Sequence, residues 1–262
     1  ETTTVTTVPT DPDSTETSST SATTSVPNTN TDKIVKDAIY CSPEGTGDGS
    51  SKENPTNVLD AITQVQAGGT IYLLDGTYKF SETINIQEDN SGNEKAYKTI
   101  MAYPNANVVW DFSAMAVDGA NRGVVLQGSY WHFKGFEITK AGDNGMLLAG
   151  DYNVIDQMVF NNNQDTGLQI SRYNTKYTDI ADWPSYNTIL NCTSKNNCDD
   201  ATMENADGFA AKLTCGEGNV FDGCMSYNNS DDGWDLFAKS ATGPIGVVTI
   251  QNCIAFRNGY TE

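Results

Sequence analysis

Asn205–Lys239 reads NADGFAAKLTCGEGNVFDGCMSYNNSDDGWDLFAK, and its two halves echo each other. Asp207-Gly208-Phe209 in the first half is answered by Asp232-Gly233-Trp234 in the second, 25 residues on. Self-similarity at such an interval marks a repeat architecture built of stacked turns. Stacking would bring Asp207 beneath Asp232, with Asp231 and Asp235 beside them. Carboxylates gathered in one place repel each other unless a cation neutralises them. Ca²⁺ is the usual answer, because it is hard and takes oxygen ligands in flexible geometry. Asp207, Asp231, Asp232 and Asp235 are therefore the candidate Ca²⁺ ligands.

The repeat extends outward from this stretch. Phe136, Met158, Cys192, Cys224 and Cys253 align, and five residues after them come Ala141, Asn163, Asn197, Asn229 and Asn258. A glycine follows four residues later at Gly145, Gly167 and Gly233, and after a short insertion at Gly208. Units this short cannot bury an apolar face alone, but stacked into a solenoid they share one continuous core. Aligned asparagines would form an amide ladder between turns. The expected fold is all-β, a right-handed parallel β-helix. Neither a leucine-rich consensus nor a repeat of four long strands is visible.

Side chains in a strand alternate between faces. After each repeat glycine, Met146, Leu168, Phe209 and Trp234 stand first and Leu148, Ile170, Ala211 and Leu236 third, and these should point inward. Leu147, Gln169, Ala210 and Asp235 stand second, and Ser171, Lys212 and Phe237 fourth, so these should point outward. One outer face would then carry Gln169 and Lys212 next to the aspartates, as candidate substrate-binding residues. Lys212 reads as a substrate-facing or ion-paired cation rather than a base, because carboxylates around it favour its charged form. Trp234 aligns with core positions, so packing outweighs sugar stacking for it.

Towards the N-terminus the pattern continues. Asp37–Cys41, Thr70–Leu74, Thr77–Phe80, Thr83–Ile86, Lys98–Tyr103 and Val108–Phe112 read as short strands bounded by turn residues. Pro55–Gln66 has Val58, Ile62 and Val65 at helical spacing, with Thr56 or Asn57 as N-cap. This short helix is expected to cap the open end of the core. Glu1–Thr31 is mostly Thr, Ser, Pro, Asn and acidic residues, and reads as a disordered linker ahead of a single β-helix domain at 32–262. The chain is expected to be a piece of a longer modular protein.

Composition excludes several functions. A formal charge of −19 argues against nucleic acid as a partner. No apolar run is long enough for a membrane helix. His132 is the only histidine, which rules out a histidine-rich metal site and argues against a histidine triad. Six cysteines in 262 residues do not make a disulfide scaffold. Cys192, Cys224 and Cys253 read as small inward hydrophobes, while a Cys198–Cys215 pairing stays open.

The segments NADGFAAK (Asn205–Lys212), GEGNV (Gly216–Val220) and NSDDGWDL (Asn229–Leu236) closely resemble the family 9 polysaccharide lyases, which are right-handed β-helix pectate lyases. The resemblance continues through Leu168–Ser171, Trp183-Pro184 and Gly69–Tyr78, and covers the chain from about Ala38 onward. It implies a secreted enzyme that cleaves the acidic polysaccharide polygalacturonate by β-elimination. It implies that Asp207, Asp231, Asp232 and Asp235 bind the catalytic Ca²⁺. Such an ion would bridge protein and uronate carboxylates and stabilise the charge that develops as the C5 proton leaves. The family's base is a lysine in a later turn, expected beyond Glu262. This chain is thus expected to bind Ca²⁺ yet cleave poorly, as a monomer within a multimodular protein. The competing readings are another uronide lyase, on rhamnogalacturonan or alginate, and a non-catalytic carbohydrate-binding β-helix with structural Ca²⁺.

Overall fold

The structure, a computed structural model, describes residues 38–259. The expected linker Glu1–Thr31 and its boundary with the domain lie outside the described residues. Among the described residues the strands form three sheets, of eight, seven and six strands, and the strands in them pair in parallel. The chain visits the three sheets in turn on every coil. Trp131–Lys134 lies in the first, Glu137–Thr139 in the second and Met146–Leu148 in the third, before Val154–Asp156 returns to the first. This is a parallel β-helix.

The aligned positions stack in register. Glu137, Val159, Thr193, Met225 and Ile254 are successive partners in the second sheet, which places Phe136, Met158, Cys192, Cys224 and Cys253 one residue earlier on every coil. Met146, Leu168, Phe209 and Trp234 are partners in the third sheet. Left-handed corners separate the strands. Asn162, Asn196 and Asn228 have φ of 54°, 55° and 56°, and residues at Gln157, Asn191 and Gly223 do the same at the other bend of each coil. Asparagine recurs because its short polar side chain tolerates this region better than most.

The asparagine ladder runs as expected. Asn163 Nδ2 donates to Asn197 Oδ1 at 2.9 Å, Asn197 to Asn229 at 2.8 Å and Asn229 to Asn258 at 2.8 Å. A second ladder was not anticipated. The backbone N–H of Asn153 donates to Asn187 Oδ1 at 2.9 Å, and Asn187 Nδ2 donates to Asn219 Oδ1 at 3.0 Å. Its signal lay in the paired segments Tyr152-Asn153-Val154-Ile155 and Tyr186-Asn187-Thr188-Ile189. Tyr152 stacks on Tyr130 at 5.0 Å and on Tyr186 at 5.1 Å between ring centroids, so the three rings form a column.

Inward side chains fill one continuous core that includes Trp110, Phe133, Phe160, Phe209 and Phe221. The capping helix spans Val58–Gln64, shorter than expected. Asn57 caps it by accepting from the Asp60 N–H at 2.9 Å, while Thr56 bridges to Cys41 as extended chain. Val58, Ala61, Ile62 and Val65 close the core beneath it. No helix among the described residues is long and apolar enough to cross a membrane. All six cysteines are free, so Cys198 and Cys215 are not paired. Cys192 and Cys224 are buried as expected of inward hydrophobes, and Cys253 is half-buried.

Outward expectations at Leu147, Ser171, Ala210 and Lys212 need correction, because all four side chains are buried. Leu147 and Ala210 sit on the outer side of the third sheet, yet are 4% and 0% exposed. Alternation sets direction but not cover. Ala210 is a methyl between its register partners Gln169 and Asp235, which are longer and overhang it. Leu236, expected inside, is exposed: it lies just past the strand Trp234–Asp235, which is at the edge of the third sheet among the described residues.

Candidate metal centre

The third sheet positions the site. Its strands Phe209–Ala211 and Trp234–Asp235 pair with Phe209 opposite Trp234 and Ala210 opposite Asp235. Phe209 and Trp234 also stack below the surface at 5.1 Å, as core packing requires. The turn before each strand therefore carries its aspartate at the same height as its neighbour's. The Asp232 N–H donates to Asp207 Oδ1 at 3.2 Å, and the Gly208 N–H donates to the Asp232 carbonyl at 2.9 Å. Glycine is required at 208, where a Cβ would come within 1.9 Å of Ser226 Oγ.

One carboxylate oxygen from each of Asp207, Asp231 and Asp232 lies within 4.8 Å of the others. Two ligands each ~2.4 Å from one Ca²⁺ stand at most ~4.8 Å apart, so the three are compatible with a shared ion. The set is graded in burial: Asp207 buried, Asp231 half-buried and Asp232 exposed. The insertion before Asp207 helps to fix it, since the Asn205 N–H donates to Asp231 Oδ2 at 2.8 Å. Asp235 is not in this three-oxygen group. Its Oδ1 accepts from the Phe237 N–H at 2.9 Å, and its Oδ2 lies 3.0 Å from Lys212 Nζ.

Lys212 joins the fourth aspartate to the other three. Its Nζ donates to Asp207 Oδ2 at 2.7 Å, an oxygen that also accepts from Thr166 Oγ1 at 3.0 Å. Burial works to lower the lysine pKa, but Asp207 and then Asp235 more than offset it, and the net direction is up. Asp207 is pushed up to about 6, mainly by burial, with Lys212 pulling the other way. Asp232 is also raised, by burial first and then by Asp231 and Asp235. The cluster thus holds four carboxylates against one ammonium, and its repulsion is only partly compensated. An all-oxygen, net-anionic donor set of this kind fits a hard divalent cation. Gln169, one coil below Ala210 on the outer face, is half-buried and accepts from Asn144 Nδ2 at 3.1 Å.

Sequence reasoning missed three residues nearby. Thr166 holds the same position before Gly167 that Asp207 holds before Gly208. Asp143 and Asp165 hold the position, two before the glycine, that Asp231 holds before Gly233. Asp143 is pushed up to about 6 by burial, then by Asp165, despite Arg122 Nε at 3.3 Å. The offset from the repeat glycine was the available signal.

Known proteins resemble this chain in sequence and fold. The chain is 46% identical over 225 residues to pectate lyase L of Paenibacillus polymyxa (strain SC2), an alignment that covers 86% of this chain and 50% of that protein. It is 46% identical over 225 residues to pectate lyase L of Thermoclostridium stercorarium, over 84% of this chain and 18% of that protein. The crystal structure of pectate lyase Pel9A superposes with a TM-score of 0.73 at 33% identity, over 86% of this chain and 55% of that one. The chain therefore spans about half the length of the Paenibacillus protein and of Pel9A. The family described as "Pel9A-like, right handed beta helix region" matches residues 39–262, and the chain belongs to that family.

Proposed function

We propose that this chain is the β-helical part of a secreted, Ca²⁺-dependent pectate lyase that cleaves polygalacturonate by β-elimination. The observation that carries the metal reading is the convergence of Asp207, Asp231 and Asp232 with only one ammonium to offset them. Relatives named pectate lyase support the reaction class. Asp207, Asp231 and Asp232 would hold the ion, with Asp235 at its edge. Bound there, Ca²⁺ would supply Lewis-acid stabilisation of the charge that grows as the uronate loses its C5 proton.

The chain's own residues account for binding. The buried Asp207 is fixed by Thr166 and by the Asp232 amide, so this ligand is oriented before any metal arrives. With its Oε1 tied to Asn144, Gln169 keeps its amide N–H groups for a sugar oxygen on the outer face. A net-anionic protein meets an anionic polymer at this spot because the cation offsets most of the local negative charge and offers the uronate carboxylate a positive ligand. The test is the ultraviolet absorbance of unsaturated uronides released from polygalacturonate, by the chain and by the full protein that contains it. Product formation by the full protein that chelator abolishes and Ca²⁺ restores supports the reading. Chelator-insensitive cleavage, or hydrolytic products without the absorbance, overturns it.

A further inference from the structure

Lys212 has an unusual place for a residue on a substrate-facing sheet. It is 8% exposed, and its ammonium lies 2.7 Å from Asp207 Oδ2 and 3.0 Å from Asp235 Oδ2. Its backbone is anchored, because the strand Phe209–Ala211 pairs on both sides and the Leu213 N–H donates to the Phe237 carbonyl at 2.7 Å. The side chain beyond that anchor is a four-carbon stem with freely rotating bonds.

Asp207 Oδ2 is fully taken, while Oδ1 keeps one free lone pair. Oδ1 accepts from the Asp232 amide, and Oδ2 accepts from Thr166 and Lys212. A cation that takes up Asp207 through Oδ2 must displace a donor or crowd it, and one on Oδ1 still puts a second positive charge on the carboxylate that Lys212 holds. The Asp232 amide and the Thr166 hydroxyl are neutral and sit on fixed coils. The ammonium is charged and sits at the end of a flexible stem. A Ca²⁺ ~2.4 Å from Oδ2 would lie no more than about 5 Å from Nζ if the lysine stayed put, two cations on one oxygen.

We propose that Lys212 is the built-in counter-ion of the metal centre, holding Asp207 and Asp235 together in the metal-free protein and releasing Asp207 when the divalent cation binds. The proposal rests on the metal reading above. Lysine and metal then compete for the same oxygen, and the fold tolerates its clustered carboxylates before the metal arrives. Lys212 acts as a positioning residue: it preserves the ligand geometry at the expense of affinity.

Two measurements test this. Calorimetric titration of Ca²⁺ into the chelator-stripped full chain compares wild type with Lys212→Met. The variant should bind more tightly by about tenfold or more, within the usual range for coupling between ligands that oppose each other. It should also melt at lower temperature without metal. Equal or weaker Ca²⁺ binding by a folded Lys212→Met overturns the counter-ion while leaving the metal reading intact. A wild type that binds no Ca²⁺ sinks both. The second measurement needs no variant. Acylation of Lys212 in the wild-type chain, read by mass spectrometry, should rise when Ca²⁺ is added to stripped protein. Unchanged or reduced labelling overturns the proposal.

Discussion

Replacing Asn197 by alanine removes a middle rung of the longer asparagine ladder. Asn197 is fully buried. Its Oδ1 accepts from the backbone N–H of Asn163 at 3.1 Å and from Asn163 Nδ2 at 2.9 Å. Its Nδ2 donates to Asn229 Oδ1 at 2.8 Å and to Ser194 Oγ at 3.0 Å. Truncation leaves both Asn163 donors facing a methyl group in a dry interior. Each orphaned buried group costs roughly 1–3 kcal/mol, so two donors and a weakened acceptor together predict a loss of about 3–5 kcal/mol. That is a large share of the ~5–15 kcal/mol that keeps a typical domain folded. Urea-induced unfolding followed by circular dichroism measures it. The same substitution at Asn258, the half-buried end of the ladder, should cost much less. A loss under ~1 kcal/mol at Asn197 would refute the view that the ladder carries coil-to-coil stability.

Other substitutions probe the core, pH and the site. Phe209→Ala, at a fully buried ring stacked on Trp234, should destabilise by about 3–5 kcal/mol in thermal melts, and a loss below ~1 kcal/mol would contradict its place in the core. Asp143 is pushed up to about 6 when folded, above its ordinary value, so its contribution to stability is full below pH ~4 and lost as pH rises through about 6. Asp143→Asn should therefore melt above wild type at pH 7, with the gain vanishing at pH ~4; a gain that grows on acidification reverses the sign. Burial pushes the Cys41 and Cys215 thiols up to about 12, so maleimide should label Cys198 and Cys253 first in the native chain, and early labelling of Cys41 or Cys215 counts against the packing. In the full protein, Gln169→Ala should raise KM for polygalacturonate without lowering Tm, and a fall in Tm with unchanged KM would make it structural.

The coil register was legible because a one-residue slip moves every core side chain to solvent. Phe136, Met158, Cys192, Cys224 and Cys253 keep one phase through coils of different length, and Phe160 and Phe221 both lie in the core. The second ladder was hidden because Asn153, Asn187 and Asn219 follow Tyr152, Tyr186 and Gly218 and read as turn punctuation. The helix came out shorter than its apolar spacing because Val65 turns to extended backbone as the C-cap, with its N–H still donating to the Ala61 carbonyl. Alternation identified Leu147 and Ala210 as outward, but the longer neighbours that cover them are a matter of three-dimensional proximity.

The site was legible in part. Backbone stacking fixes Asp207 against Asp232, and that follows from the repeat alone. The Lys212 contacts do not follow from it, because a long side chain selects its rotamer from the charges it meets. The same holds for Asp235, which the alignment grouped with the other aspartates and which faces the lysine instead of the three-oxygen set. Thr166 escaped notice because a hydroxyl in a turn carries no charge signature.

Calorimetric titration of Ca²⁺ into the chelator-stripped wild-type chain and into Asp232→Ala tests the central claim most directly. Asp232 is exposed, so its truncation should leave the fold intact. The account predicts one Ca²⁺ per wild-type chain and affinity lost or reduced by an order of magnitude or more in the variant, about 1.4 kcal/mol at least. No saturable Ca²⁺ binding by wild type, or equal binding by both, contradicts it.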